Sequence, residues 1–504
     1  MSNIMIMGTS SHVGKSVLTA GLLRVLAQDG YHPAPFKAQN MSLNATVTPD
    51  GREIAWSQAV QAEAAGVAPC ADMNPVLLKP SGPSRSQIVL QGRVLGETEA
   101  RAYFYDGKER LWAAVVESYR RLAAQHPVLV VEGAGSPVEM NLKPWDLSNM
   151  RTAALANAWV LLVADIERGG VFASLTGTLD LLEPGERRRV AGLVVNKFRG
   201  DPRLFEDGVR WLEDRTGIPV WGVLPYLEHL DIDEEDSLGL DARPGPQRDD
   251  VLQAALIRLP HVANFNDFDP LQADPRVQVR WCGHPEELGS ADLIVLPGTK
   301  NTMEDLVWLH TNGWADAVCR AFARGAHVLG ICGGYQMLGR LVRDPDHVES
   351  ALPEVPGLGL VDQVTTLAPV KTTTRVQAVL QAPFPPAPVF GYELHMGRTE
   401  SRASLAPLCR IDGRPDGVVA HGGRLLGTYI HGLLENRNFH DGWLGWVAAA
   451  AGRPWPALAT VSASARRQAA YDRLADALRR HLDLSRLPTL LKTTPPSAES
   501  APRS

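Results

Sequence analysis

The chain of 504 residues has only five cysteines: Cys70, Cys282, Cys319, Cys332 and Cys409. They are scattered, with no Cys-x-x-Cys pair and no disulfide spacing, so a reducing, cytoplasmic setting is expected. No apolar run approaches the ~20 residues that a membrane helix needs, so no membrane contact is expected. The opening residues lack a basic segment before their short apolar stretch, which does not read as a signal peptide. A basic excess is missing too. The formal net charge is −6, and nucleic acid is not an expected partner, because a phosphate-binding surface needs cationic surplus. Internal repeats are absent. Apolar content of 45% and charged content of 21% are those of an ordinary globular chain, and the length calls for two or three domains.

Short apolar runs alternate with longer helical patterns. Residues 4–7, 128–131, 159–164, 190–195 and 220–224 read as buried parallel strands, and 15–28 and 107–125 as helices between them. This rhythm predicts an α/β domain with helices on both sheet faces. A polar stretch follows. Beyond it the rhythm resumes, with strands expected at 252–258, 293–296, 327–331 and 425–430. The expected organisation is therefore two doubly wound α/β domains, at 1–240 and 251–440, joined by a linker at 241–250. A helical segment at 441–488 and a disordered tail at 489–504 complete it.

The first strand runs into Gly8-Thr9-Ser10-Ser11-His12-Val13-Gly14-Lys15-Ser16 and then a helix. Small residues let backbone N–H groups turn toward phosphates, and the helix N-terminus favours their charge. Lys15 is placed to neutralise β/γ charge, and the Ser16 hydroxyl to ligate Mg²⁺. Thr9 stands where the strict pattern has its first glycine. A second candidate is Glu132, ending a buried strand before Gly133-Ala134-Gly135. A carboxylate there can hold Mg²⁺, or merely cap a helix.

The other chemical motif is Cys332, framed by Gly330, Gly333 and Gly334 between a strand and a helix. Such a tight turn exposes a nucleophile, and the helix N-terminus behind it supplies oxyanion N–H groups. The glycine turn at Gly298 is a further oxyanion contributor, and Gln336 a pocket residue. His431, after the last strand, is the expected base, with His395 as its rival.

The form Gly-Thr-x₃-Val-Gly-Lys-Ser resembles the dethiobiotin synthetase branch of P-loop proteins, which activate carboxyl-type oxygens with ATP. That resemblance implies Glu132 as a metal ligand and Lys37 on the substrate side. Thr9, Gly14, Lys15 and Ser16 are the expected ATP-loop residues, and Asn196 and Lys197, ending another strand, are expected near the adenine. A partitioning-type ATPase switch shares the fold but carries an extra lysine where this chain has Ser10. The Cys332 and His431 motifs resemble class I, triad-type glutamine amidotransferases, whose thiolate releases ammonia from glutamine. Most of those read His-x-Glu, whereas this chain reads His431-Gly432-Leu433, with Glu435 displaced. The expectation is therefore a Cys–His dyad with no strong carboxylate orienter, its imidazole held by a backbone carbonyl or water.

Longer runs carry a closer likeness. Residues 36–44, 58–62, 73–80, 165–172 and 195–200 look like the cobyric acid synthase family, as does most of the chain from 4 to 434. The resemblance implies ATP- and glutamine-dependent amidation of the b, d, e and g carboxylates of adenosylcobyrinic acid a,c-diamide. The nearest alternative, cobyrinic acid a,c-diamide synthase, has a different signature after the second strand. Oligomeric state is not legible in any of these motifs.

Overall fold

The structure, a computed structural model, describes residues 2–82, 85–99, 108–227, 248–401, 405–458 and 462–496. Most of the expected linker and the end of the expected disordered tail lie outside these residues.

Strand Asn3–Gly8 is buried at every position. It forms the centre of a six-stranded sheet ordered Val220–Pro225, Val190–Phe198, Ala158–Asp165, Asn3–Gly8, Val128–Glu132, Pro33–Phe36. All five pairings are parallel. Apolar side chains on both faces explain the continuous runs: Met5 and Met7 pack into one core, Ile4 and Ile6 into the other. The C-terminal ends of Asn3–Gly8 and Val128–Glu132 lie side by side, with Ile6 opposite Glu132. The phosphate-type loop and Glu132 therefore share one edge of the sheet.

The second sheet is ordered Val277–Cys282, Leu252–Ile257, Leu293–Leu296, His327–Ile331, Leu425–Thr428, Val418–Ala420. Only its last pairing is antiparallel. The strand expected at 425–430 is broken. Leu425–Thr428 stays in this sheet, while Ile430–His431 pairs with Tyr392 and Glu393 of a long antiparallel hairpin. That hairpin joins Gln363–Leu380 to Pro388–Ser401. The Thr428 hydroxyl accepts from the Ile430 N–H at 3.0 Å and turns the chain between the two sheets.

Further features lie outside the expected rhythm. Short strands between Gln39 and Glu99 form a separate antiparallel-rich insert on the first domain. The C-terminal part is helical at Arg437–Ala450 and Ala463–His481, but the second helix crosses back to the first domain. Its Leu474 and Leu478 pack on helix Lys15–Gln28 at Gly21, where an added Cβ would lie 2.6 Å from Leu478. The tail also orders further than expected. Leu487–Lys492 is helical, Leu491 is buried, and its carbonyl accepts from Ser2 N–H at 2.9 Å. Apolar Leu487 and Leu491 drive this docking, a signal hidden among the polar residues around them.

Candidate functional site

Gly14 sits at φ 95°, immediately before helix Lys15–Gln28. A Cβ there would lie 2.2 Å from Asn196 Nδ2, so both conformation and space require glycine. Asn196 braces the loop: its Nδ2 donates to Val13 O at 2.8 Å, and its Oδ1 accepts from Lys197 N–H at 2.8 Å. Both ends of that amide are thus engaged by protein. Thr9 N–H is likewise tied to Val163 O at 2.9 Å. Lys15 folds back over the loop, donating to Ser10 O at 2.8 Å and Gly135 O at 3.2 Å. It links the two glycine turns where phosphate charge would be received.

Ser16 Oγ donates to Glu132 Oε1 at 2.8 Å. Lys37 Nζ pairs with the same oxygen at 2.9 Å, and Gln61 Nε2 donates to Oε2 at 2.5 Å. Burial pushes the Glu132 carboxyl pKa up. The Lys37 charge and the hydrogen bonds from Lys37, Gln61 and Ser16 outweigh it and hold the group below the usual range. An ionised carboxylate touching a hydroxyl at a helix N-terminus is a hard-oxygen donor set of the kind Mg²⁺ takes. Lys37, Ser16 and Glu132 are thus one cluster, although the chain separates them widely. Among the described residues, Asp274, His440 and Asp441 also come close enough to hold a cation. Arg276 already fills that cluster, 2.6 Å from each of its two carboxylates.

In the second domain Cys332 lies at φ 53°, ψ −110°, outside the comfortable range of an L-residue. The bend holds because its flanks have no side chains. A Cβ on Gly334 would stand 2.0 Å from Leu296 O. Gly298 lies beneath Cys332, where a Cβ would meet His431 Cε1 at 3.3 Å and Cys332 Cβ at 3.7 Å. Cysteine and histidine therefore converge over the glycine turn, and Gly333 lies beside them in the same cavity. Gln336 lines that cavity with its amide fully engaged. It accepts from Thr302 Oγ1 at 2.9 Å and donates to Met396 O at 3.0 Å and Tyr429 Oη at 3.3 Å. His395 lies on the cavity wall stacked on Tyr429, with ring centroids 3.8 Å apart.

The expected lack of a carboxylate orienter is overturned. Asp267 Oδ2 lies 2.6 Å from His431 Nδ1, and Asp267 Oδ1 accepts from Gly432 N–H at 2.8 Å. Both side chains are buried, His431 at 2% exposure and Asp267 at 1%. Burial opposes the imidazolium, yet the charges of Asp267 and Cys332 raise the His431 pKa to about 10. Tyr392 stacks on the imidazole at 5.1 Å and keeps the ring in its plane. Glu435 is used elsewhere, pairing with Arg467 at 3.4 Å. The acid therefore comes from the turn Phe265–Phe268 after the domain's first strand, not from the segment beyond His431. Its only sequence signal is the polar run Asn264-Phe265-Asn266-Asp267, which is far from His431 along the chain.

The two domains meet beside this site. Asn264 Oδ1 accepts from Ala45 N–H at 2.9 Å, and Asn44 Oδ1 from Phe265 N–H at 3.3 Å. Tyr392 Oη donates to Ala45 O at 3.1 Å. The loop that carries Asp267 is thereby fastened to the insert that begins just after Lys37.

A phosphate-loop fold and a strained cysteine paired with a histidine–aspartate couple define a two-part, nucleotide-using glutamine amidotransferase. Residues 4–238 match the CobQ/CobB/MinD/ParA nucleotide-binding domain, and residues 253–439 the CobB/CobQ-like glutamine amidotransferase domain. The chain is 47% identical to a cobyric acid synthase of Syntrophobacter fumaroxidans, over 96% of this chain and 97% of that protein. Another, from Geobacillus thermodenitrificans, is 47% identical over 97% and 98%. A third, from Pelotomaculum thermopropionicum, is 46% identical over 97% and 96%. The chain belongs to the cobyric acid synthase family. It is an ATP-using, glutamine-dependent ligase, and neither the a,c-diamide synthase nor the ATPase-switch reading is favoured. No helix among the described residues is long and apolar enough to cross a membrane.

Proposed function

We propose that the chain amidates the b, d, e and g carboxylates of adenosylcobyrinic acid a,c-diamide, in the cytoplasm. ATP is the phosphoryl donor and glutamine the nitrogen source. The supporting observation is the pairing of two complete half-sites in one chain: Lys15–Ser16–Glu132–Lys37 and Cys332–His431–Asp267.

In this reading residues 1–240 form the carboxylate-activating unit and 251–440 the ammonia-generating unit, joined through 241–250. The helical segment 441–488 ties the second unit back to the first through its contact with Lys15–Gln28. Lys15 receives phosphate charge, with Gly14 and Asn196 shaping the loop around it and Thr9 fixing its start. Ser16 Oγ and Glu132 would hold Mg²⁺, which would neutralise charge on the phosphates. Lys37, beside Glu132, faces the carboxylate being activated.

At the second site His431 takes the proton of Cys332, and Asp267 keeps the ring oriented and stabilises its cation. The thiolate attacks the glutamine side-chain amide. The oxyanion is received at the Gly298 turn and the N–H of Gly333, in a pocket walled by Gln336. Ammonia leaves as His431 returns the proton, and water then cleaves the remaining γ-glutamyl thioester, freeing Cys332 and releasing glutamate. Ammonia then displaces phosphate from the activated carboxylate. The joined domains keep the two events close, which favours capture over loss to water.

The test is mass spectrometry of corrinoid products after incubation with ATP, Mg²⁺ and glutamine. Four successive amidations of the a,c-diamide are expected. No amidation of the a,c-diamide, with conversion of cobyrinic acid to its diamide under the same conditions, would instead support an a,c-diamide synthase.

A further inference from the structure

The cavity beside Cys332 has walls from both domains. Gly298, Gln336 and His431 face Lys79 and Gln87, which the first domain contributes. Three lysines line it: Lys79, Lys300 and Lys371. Lys79 and Lys371 share one carboxylate, Glu53, at 2.9 and 2.7 Å. These side chains are almost sealed from solvent, at 4%, 10% and 1% exposure for Lys79, Lys371 and Glu53. Burial pushes the Glu53 carboxyl up, but Lys371 and Lys79 together bring it down to about 2, so it stays ionised. Burial lowers Lys371, Glu53 raises it, and repulsion from Lys79 and Lys300 leaves it at about 8. An acid on the cavity wall, Glu349, is pushed by burial up to about 7 and is only partly ionised at neutral pH.

Lys79 and Lys371, almost sealed from solvent, thus share the single ionised carboxylate of Glu53, which leaves cationic charge on the pair. A sealed charge of this kind calls for a counter-ion. One further group is unsatisfied. Gln87 is 3% exposed, and its Oε1 has no hydrogen-bond partner among the described residues. A buried carbonyl oxygen of this sort calls for a donor. An anion-binding lysine pair next to a vacant acceptor matches the two ends of an α-amino acid head group.

We propose that Lys79 and Lys371 hold the α-carboxylate of the bound glutamine, with Gln87 Oε1 accepting from its α-ammonium group. This rests on the glutaminase reading above. It adds that the first domain supplies part of the glutamine specificity, so the pocket is whole only where the two domains meet. Glu53 is the positioning residue, holding both ammonium groups at fixed distance.

The experiment compares two reagents for Cys332 on the full-length enzyme. One is 6-diazo-5-oxo-L-norleucine, a glutamine analogue with the complete head group. The other is iodoacetamide, which has none. Lys371→Met and Gln87→Leu should slow inactivation by the analogue at least ten-fold and raise the glutamine KM by a similar factor. Alkylation by iodoacetamide should keep its wild-type rate, a split that misfolding would not produce, and Lys371→Arg should restore part of the analogue rate. Equal slowing with both reagents, or analogue rates unchanged in both variants, would overturn the proposal. A wild-type enzyme whose Cys332 the analogue does not label would instead contradict the glutaminase reading itself.

Discussion

On the proposed reading, Asp267 is the residue on which the glutaminase chemistry turns after Cys332 and His431. Its 2.6 Å contact with Nδ1 leaves the opposite ring nitrogen to take the thiol proton. Asp267→Asn keeps the shape but offers the wrong hydrogen-bonding group, and should lower glutamine-driven amidation about 10³–10⁴-fold. Glu435→Gln, at the Arg467 pair, should change it less than about two-fold, as expected of a partly exposed ion pair. Steady-state rates of the two variants, with free ammonia as the alternative substrate, check this directly. The same couple has a signature in stability. The His431 pKa is raised from an ordinary 6.5 to about 10 in the folded chain. Its stabilisation is therefore fully present below pH 6.5 and is lost as pH rises through about 10. Urea midpoints measured across that range should decline in the wild type and decline less in Asp267→Asn. An identical decline in both would remove the pair as its source.

The elements differ in how plainly the sequence announced them. The phosphate-type loop and the cysteine elbow are local: a strand, a glycine turn and a helix in unbroken order, legible because the constraint lies within ten or so residues. The parallel strands were legible for the same reason, since burial on both faces writes itself as a continuous apolar run. Asp267 was not legible, because its meeting with His431 depends on how two distant strand ends align. The 363–401 hairpin is not legible, because its alternating pattern is interrupted by exposed apolar residues such as Val370 and Phe390. The segment 441–488 reads from sequence only as helical, yet its Leu474 and Leu478 are fully buried against the first domain. Leu478→Ala should therefore cost about 2–5 kcal/mol of stability. Calorimetry of the whole chain would show this as a lowered transition of the nucleotide-binding domain. No change in any transition would mean that the helix docks without contributing.

At the scale of the molecule, the two half-sites are joined by more than the linker. Asn44, Ala45 and Glu53 of the first domain contact Phe265, Asn264, Tyr392 and Lys371 of the second, around the loop that bears Asp267. Arg467 adds a third link, reaching Glu63 at 2.9 Å as well as Glu435. The central claim is that one half makes ammonia and the other consumes it, so the halves can be disabled separately. Lys15→Ala should abolish amidation with glutamine and with free ammonia alike, because phosphoryl transfer precedes both. The most direct test is corrinoid amidation by Cys332→Ala, followed by mass spectrometry with each nitrogen source in turn. The account predicts no product from glutamine and near wild-type product from high free ammonia. A folded Cys332→Ala enzyme that amidates from glutamine, or that ammonia fails to rescue, would contradict it.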